Sequence, residues 1–236
     1  MTYRHIRGTS GGIALDVGLN GAKEGLEAEV VLAATGRRPN TADLGLADVD
    51  VGLAESGGIP VDQHLRTSNP QIYAAGDVTG RHPFVYMAAY GAKLAALNAL
   101  SGDTHRYDAT AMPMVTFTDP QVASVGLTEA AARAAGRDVK TSVLPLDQLP
   151  RALVARNKRG LIKLVADRTT DRLLGAHLLA PEGCDSIQTA ALAIKHEMTT
   201  NQVSETLFPY LTTVEGLRLA AQSFAMDLAK LSCCAG

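Results

Sequence analysis

Apolar and polar positions along the first part of the chain follow a strand-like rhythm that never lasts long. Alternation is weak at Gly12-Ile13-Ala14-Leu15-Asp16-Val17, and residues 18–25 are rich in glycine and polar side chains. Residues 1–35 therefore read as strands and turns, with a hairpin turn at 18–25. The run Glu29-Val30-Val31-Leu32-Ala33-Ala34 is continuously apolar after its first residue, the pattern of a buried strand. It ends at Thr35-Gly36-Arg37-Arg38-Pro39-Asn40, where Gly36 permits a sharp turn and Pro39 pushes Arg38 into an extended conformation. Residues 41–66 read as loop, and Ile59-Pro60-Val61-Asp62 as a short edge segment, because proline is poorly tolerated inside a sheet. A second apolar run, 72–78, predicts a buried strand ending in a Gly76-Asp77 turn. An alanine-rich helix follows over 84–99, with Gly91 inside it pointing to close packing.

Polar composition at 101–111 marks a boundary. Beyond it, Val115-Thr116-Phe117 and Val122-Ala123-Ser124-Val125 flank a turn signal, Thr118-Asp119-Pro120-Gln121. Thr128 predicts an N-cap and Gly136 a stop for a helix over 129–135, and Glu129 suits its first turn. A strand is expected over 139–146, and strands at 160–166 and 173–179 form a hairpin around 167–172. Ile187, Ala190, Ala191 and Ile194 recur at helical spacing and predict a helix over 183–196. Thr199 caps a short helix reaching Leu207, and Pro209 breaks the chain. Thr212 or Thr213 caps a last helix over 214–230, with Leu217, Ala220, Ala221, Phe224 and Leu228 on one side.

Composition narrows the function classes. The chain has 236 residues, 46% hydrophobic, enough for one or two domains with real cores. A net charge of −2 argues against a polyanion-binding surface, and 4% aromatics without tryptophan argue against a base-stacking platform, so no nucleic acid is expected. No run of 18 apolar residues is present, and residues 1–8 lack the apolar centre of a secretory signal, so no membrane association is expected. The 3 cysteines do not make a disulfide framework, which points to a reducing, cytoplasmic setting.

Two of those cysteines, Cys233 and Cys234, are adjacent near the chain end. Thiolates are soft donors that select thiophilic metals, and adjacent cysteines close a ring only with strain. The pair reads either as a reaching metal-binding end or as two inconsequential residues on a frayed terminus. Cys184 reads as an inert, partly buried thiol, and the 6 histidines show no ligand spacing.

Ala34-Thr35-Gly36-Arg37-Arg38-Pro39-Asn40 resembles the A-T-G-R-x-P-N motif of the flavin-dependent pyridine-nucleotide disulfide oxidoreductases. The stretch 67–77, ending Ile72-Tyr73-Ala74-Ala75-Gly76-Asp77, is similar to that family's second flavin motif, T-x-x-x-x-I-Y-A-x-G-D. The resemblance covers essentially the whole chain and matches the C-terminal half of a full-length member. It implies an α/β and α+β fold: the end of the NAD(P)-binding domain at 1–42, the C-terminal part of a Rossmann-like FAD-binding domain at 43–108, and an α+β dimerisation domain with an antiparallel sheet at 109–236.

Where disulfide-reducing members carry His-Pro-Thr-x-x-Glu, this chain has Phe208-Pro209-Tyr210-Leu211-Thr212-Thr213. Phenylalanine cannot shuttle a proton near neutral pH. A tyrosine after that proline, together with a terminal Cys-Cys, resembles the members that reduce Hg(II) to Hg(0) with NADPH electrons through FAD. The resemblance implies that Cys233 and Cys234 collect Hg(II) from thiol complexes and pass it to an inner cysteine pair in the other subunit of a homodimer. It places Tyr210 beside the bound metal. Asp77 would accept hydrogen bonds from the ribityl hydroxyls of FAD, with a helix-capping turn as its plain alternative. Val85 would offer backbone contact to the flavin ring, or else be a core residue. Arg37 and Arg38 are read as positioning an interdomain loop.

No G-x-G-x-x-G and no C-x-x-x-x-C occurs in the sequence. The family needs the first for the pyrophosphates of FAD and NADPH and the second for its redox-active cysteine pair. The chain is therefore expected to be a C-terminal fragment, inactive alone. Two rivals remain: a dihydrolipoamide- or glutathione-type reductase of the same family, and a non-catalytic dimerisation and metal-binding module.

Overall fold

The computed structural model describes residues 2–19 and 22–226. The chain divides between Tyr107 and Asp108 into two compact units.

The first unit opens with an antiparallel meander, β1 (Thr2–Thr9), β2 (Gly12–Leu19) and β3 (Ala22–Ala28), in that order. Strand residues reach inward from both sides of the expected 18–25 turn, for Gly18 pairs with Lys23 and Leu19 with Ala22. The central strand supplies the buried Ala14 and Val17.

The buried strand expected over 29–34 does not form. Val30 and Leu32 are 81% and 88% exposed, and no described strand pairs with them. An apolar run becomes a buried strand only where neighbours satisfy its backbone and cover both faces. The strand expected over 72–78 also shrinks. Only a bridge between Arg66 and Tyr73 remains, supported by Thr67 N–H to Ile72 O and Ala74 N–H to Leu65 O, each 3.0 Å. Gly76, at φ 81°, then turns the backbone into one 3-10 turn, Asp77–Thr79.

Helix α1 (Val85–Ser101) covers this loop scaffold with Leu94 and Ala95, which join Val51, Ile59, Val61, Leu65 and Ala74 in one core. Buried Asn98 ties it down. Its amide nitrogen donates to His64 O (2.9 Å) and His105 O (2.8 Å), and its oxygen accepts from His105 N–H (2.9 Å). Gly91 is buried, yet a methyl there would meet Ala75, Tyr107 and Leu65 atoms at 3.4–3.7 Å, which is ordinary contact. Close packing does not require the glycine.

The second unit is a five-stranded antiparallel sheet in the order β4 (Met114–Thr116), β5 (Gln121–Gly126), β8 (Leu173–Ala180), β7 (Leu161–Asp167) and β6 (Val139–Pro145). The central strand β8 and its neighbour β7 are the most apolar, and Ile162, Leu164, Ala176 and Leu178 are almost fully buried. Helix α2 (Glu129–Ala134) starts at Thr128, whose hydroxyl accepts from Ala131 N–H. A short α3 (Pro150–Val154) was not expected, although Pro150 at its first turn is a helix-start signal. Helix α4 (Gly183–Lys195) buries Ile187, Ala190, Ala191 and Ile194 on the sheet, as its periodicity predicts.

Helix α5 (Thr200–Glu205) begins with a complete capping box. Thr199 Oγ1 accepts from Gln202 N–H, and Gln202 Oε1 accepts from Thr199 N–H. Helix α6 (Glu215–Gln222) is shorter than the expected 214–230. It gives way to a turn and bend at residues 223–226, and 227–230 lie outside the described residues. Thr212 does serve its N-terminus, accepting from Glu215 N–H at 3.3 Å.

Candidate functional site

In the first unit the Gly76–Asp77 turn lies against the first turns of α1, where a methyl built on Gly76 would stand 3.1 Å from the Ala88 side chain. With its φ of 81°, this position suits glycine on both counts. The side chain of Asp77 is 42% exposed and takes an ion pair from Arg37 (2.7 Å). The same guanidinium donates to Pro83 O, just before the start of α1. Arg37, set aside in the sequence reading, thus fastens the Asp77 turn to the helix start. Its place in the Ala34–Asn40 motif was the signal. Asp77 does not cap α1, whose N-terminus has no side-chain cap. Val85 is 84% exposed, so it is not a core residue. An accessible carboxylate edge beside an uncapped helix N-terminus suits hydroxyl donors and an electron-rich ring edge. These residues fit the part of FAD expected of them.

In the second unit the loop between α5 and α6 carries Phe208 and Tyr210. Phe208 is half-buried and packs on the main core, whereas Tyr210 is 58% exposed. The next residue, Leu211, has φ 65°. Thr213, at the motif's acidic position, is buried and donates to Glu182 Oε2 (2.9 Å), and Arg151 approaches Glu182 Oε1 at 3.4 Å. Glu215 is 1% exposed and its Oε2 accepts from Leu211 N–H (3.2 Å).

Helix α5 is moored at its start by Asp171, in the β7–β8 turn. That carboxylate accepts from Lys140 Nζ (2.6 Å), Thr200 Oγ1 (2.6 Å) and Asn201 N–H (3.1 Å). Burial pushes the Asp171 carboxyl up, but the bonds from Lys140, Thr200 and Asn201 outweigh it and hold it below the ordinary carboxylate range.

Cys233 and Cys234 lie outside the described residues. Among the described residues no group of three or more His, Cys, Asp or Glu side chains is placed to hold a metal ion, and no helix is long and apolar enough to cross a membrane. Cys184 is half-buried at the start of α4, its N–H donating to Gln121 Oε1. His177 bonds Leu127 O from within β8, and His196 ends α4.

Comparison with known proteins agrees with this architecture. Residues 2–93 match the family model for pyridine nucleotide-disulphide oxidoreductase, and residues 112–221 match that family's dimerisation domain. The solved structure of LpdA from Mycobacterium tuberculosis superposes with a TM-score of 0.83 at 27% identity, over 95% of this chain and 48% of that one. The Cu(II) complex of the HOCl-induced flavoprotein disulfide reductase RclA from Escherichia coli gives 0.82 at 26% identity, over 94% of this chain and 50% of that one. The chain belongs to the pyridine nucleotide-disulphide oxidoreductases.

Within that class it is similar to mercuric reductases. It is 47% identical to that of Bacillus cereus over 100% of this chain and 37% of the relative, and 52% identical to that of Streptomyces lividans over 89% and 44%. The chain thus spans about two fifths of the length of the curated relatives it matches.

Proposed function

We propose that the chain forms the C-terminal part of an NADPH-dependent, FAD-containing enzyme that reduces Hg(II) to Hg(0) for mercury detoxification in the cytoplasm. The observation that carries this reading is the 44–52% identity to mercuric reductases over 89–100% of the chain. Phe208 supports it, since it removes the proton carrier that a disulfide reductase needs. In this reading residues 1–42 close the NAD(P)-binding domain, 43–108 complete the FAD-binding domain and 109–236 make a homodimer.

Asp77 would hold the ribityl hydroxyls, and the α1 N-terminus at Val85 would face the ring. FAD, when bound, supplies the two-electron relay from NADPH. Cys233 and Cys234 take Hg(II) from thiol complexes as a soft-donor pair and release it one sulfur at a time. Tyr210 presents its phenol to the metal as it arrives at the inner cysteine pair of the partner subunit.

The test joins this chain to an upstream region carrying the two glycine loops and the inner cysteine pair. Hg(II)-dependent NADPH oxidation is expected, reduced by Tyr210→Phe and by the double change Cys233→Ala and Cys234→Ala. Turnover of glutathione disulfide or lipoamide without any mercury-dependent oxidation would overturn the reading. A Hg(II) titration of the chain itself, with and without the two cysteines, separates binding from turnover.

A further inference from the structure

Glu215 is a buried acidic residue that the reaction outlined above does not use. It is the first residue of α6, 1% exposed, and is followed by the buried Gly216 and Leu217. A buried polar group persists only with a partner, and its partner is the backbone of the tyrosine loop. Oε2 accepts the N–H of Leu211 at 3.2 Å.

Leu211 has φ 65°, the left-handed region that leucine seldom adopts without restraint. A second strap closes the same turn. The Thr212 hydroxyl donates to Pro209 O (2.8 Å) and accepts from Glu215 N–H (3.3 Å). On the far side Thr213 is moored to Glu182. The loop is thus fixed on both flanks of its left-handed turn, while Tyr210, immediately before that turn, stays 58% exposed.

We propose that Glu215 is the positioning residue for Tyr210: through the Leu211 amide it holds the left-handed turn that immediately follows the tyrosine. The functional weight of this rests on the reading of Tyr210 as a metal-site residue; the clamp itself does not. Its chemistry needs only an acceptor oxygen at the end of the side chain, so glutamine should replace it and leucine should not.

The experiment uses the whole 236-residue chain. Amide hydrogen exchange is read at Leu211 and in β7 and β8, together with the ring Cζ resonance of Tyr210, assigned through Tyr210→Phe. Glu215→Leu should speed exchange at Leu211 by about five- to tenfold and move the Tyr210 resonance, with β7 and β8 unaltered. Glu215→Gln should restore both.

Unchanged Leu211 exchange in Glu215→Leu overturns the proposal. So does a rise in β7 and β8 as large as that at Leu211, which would make Glu215 an ordinary core residue. Should Glu215→Leu not fold, Thr212→Ala decides. It cuts the second strap without opening the core, and the proposal requires faster Leu211 exchange there too; no change overturns it. None of these readouts involves mercury, so the clamp and the metal reading fail separately. An intact clamp with Hg(II) turnover indifferent to Tyr210→Phe would sink only the metal reading.

Discussion

Asp171→Asn is the most discriminating single change in the second unit. Asp171 lies at φ 59°, a conformation that asparagine tolerates as well as aspartate, so the substitution leaves the turn backbone alone and removes only the charge. Lost with it is the ionic part of the Lys140 contact at 2.6 Å, together with the charge assistance to the Thr200 and Asn201 bonds. Charge-assisted hydrogen bonds contribute about 1.5–3 kcal/mol when shielded. Here the side chains are 27% and 30% exposed, and asparagine keeps one acceptor oxygen. A net loss of about 2 kcal/mol is expected, or about 6–8 °C in Tm for a unit of this size.

The pH dependence gives an independent check. The folded carboxyl titrates below its unfolded value, so its contribution is complete above about pH 4–5 and is lost as pH falls through the lower folded value. Urea unfolding of both proteins should therefore show the full deficit at about pH 7 and a much smaller one near pH 2–3. A deficit below about 0.5 kcal/mol at neutral pH, or one that does not shrink in acid, refutes the reasoning.

Three further outcomes are expected. Gly91→Ala should stabilise the first unit by about 0.5–1 kcal/mol, because the helix gains propensity and the new methyl meets only ordinary contacts; a lower urea midpoint would contradict the packing seen around α1. Thr199→Ala should cost about 1 kcal/mol and speed amide exchange in α5, since it breaks one half of a reciprocal cap. Ile162→Ala, at a fully buried position facing α6, should cost about 2–5 kcal/mol by thermal unfolding; a loss under 1 kcal/mol would mean the sheet–helix interface collapses easily around the cavity.

Legibility in the sequence followed how local each signal is. Thr128 and Thr199 were readable as caps because a cap is set by a few adjacent residues. The 167–172 hairpin was readable because strand patterns on both sides flank a polar turn, and α4 because its apolar spacing matches a helix face. Residues 29–34 and 72–78 failed for the opposite reason. Strand identity depends on a partner elsewhere in the chain, and apolar runs do not say whether one exists. For the candidate site, Asp77 and Val85 were proposed from motifs, and the structure describes their setting. Arg37 was read as positioning an interdomain loop, because the sequence does not show an ion pair that spans the 40 positions from Arg37 to Asp77. Glu215 was passed over because a carboxylate within a helical pattern ordinarily faces solvent, and only the fold turns this one inward.

The bare stretch after β3 has a practical consequence. Val30 and Leu32 stand in open solvent on a stretch of backbone that joins none of the described strands. Such a segment is a docking edge for any chain that offers a complementary one, including another copy of itself. Concentrated preparations of the 236-residue polypeptide will therefore cling together through this strip.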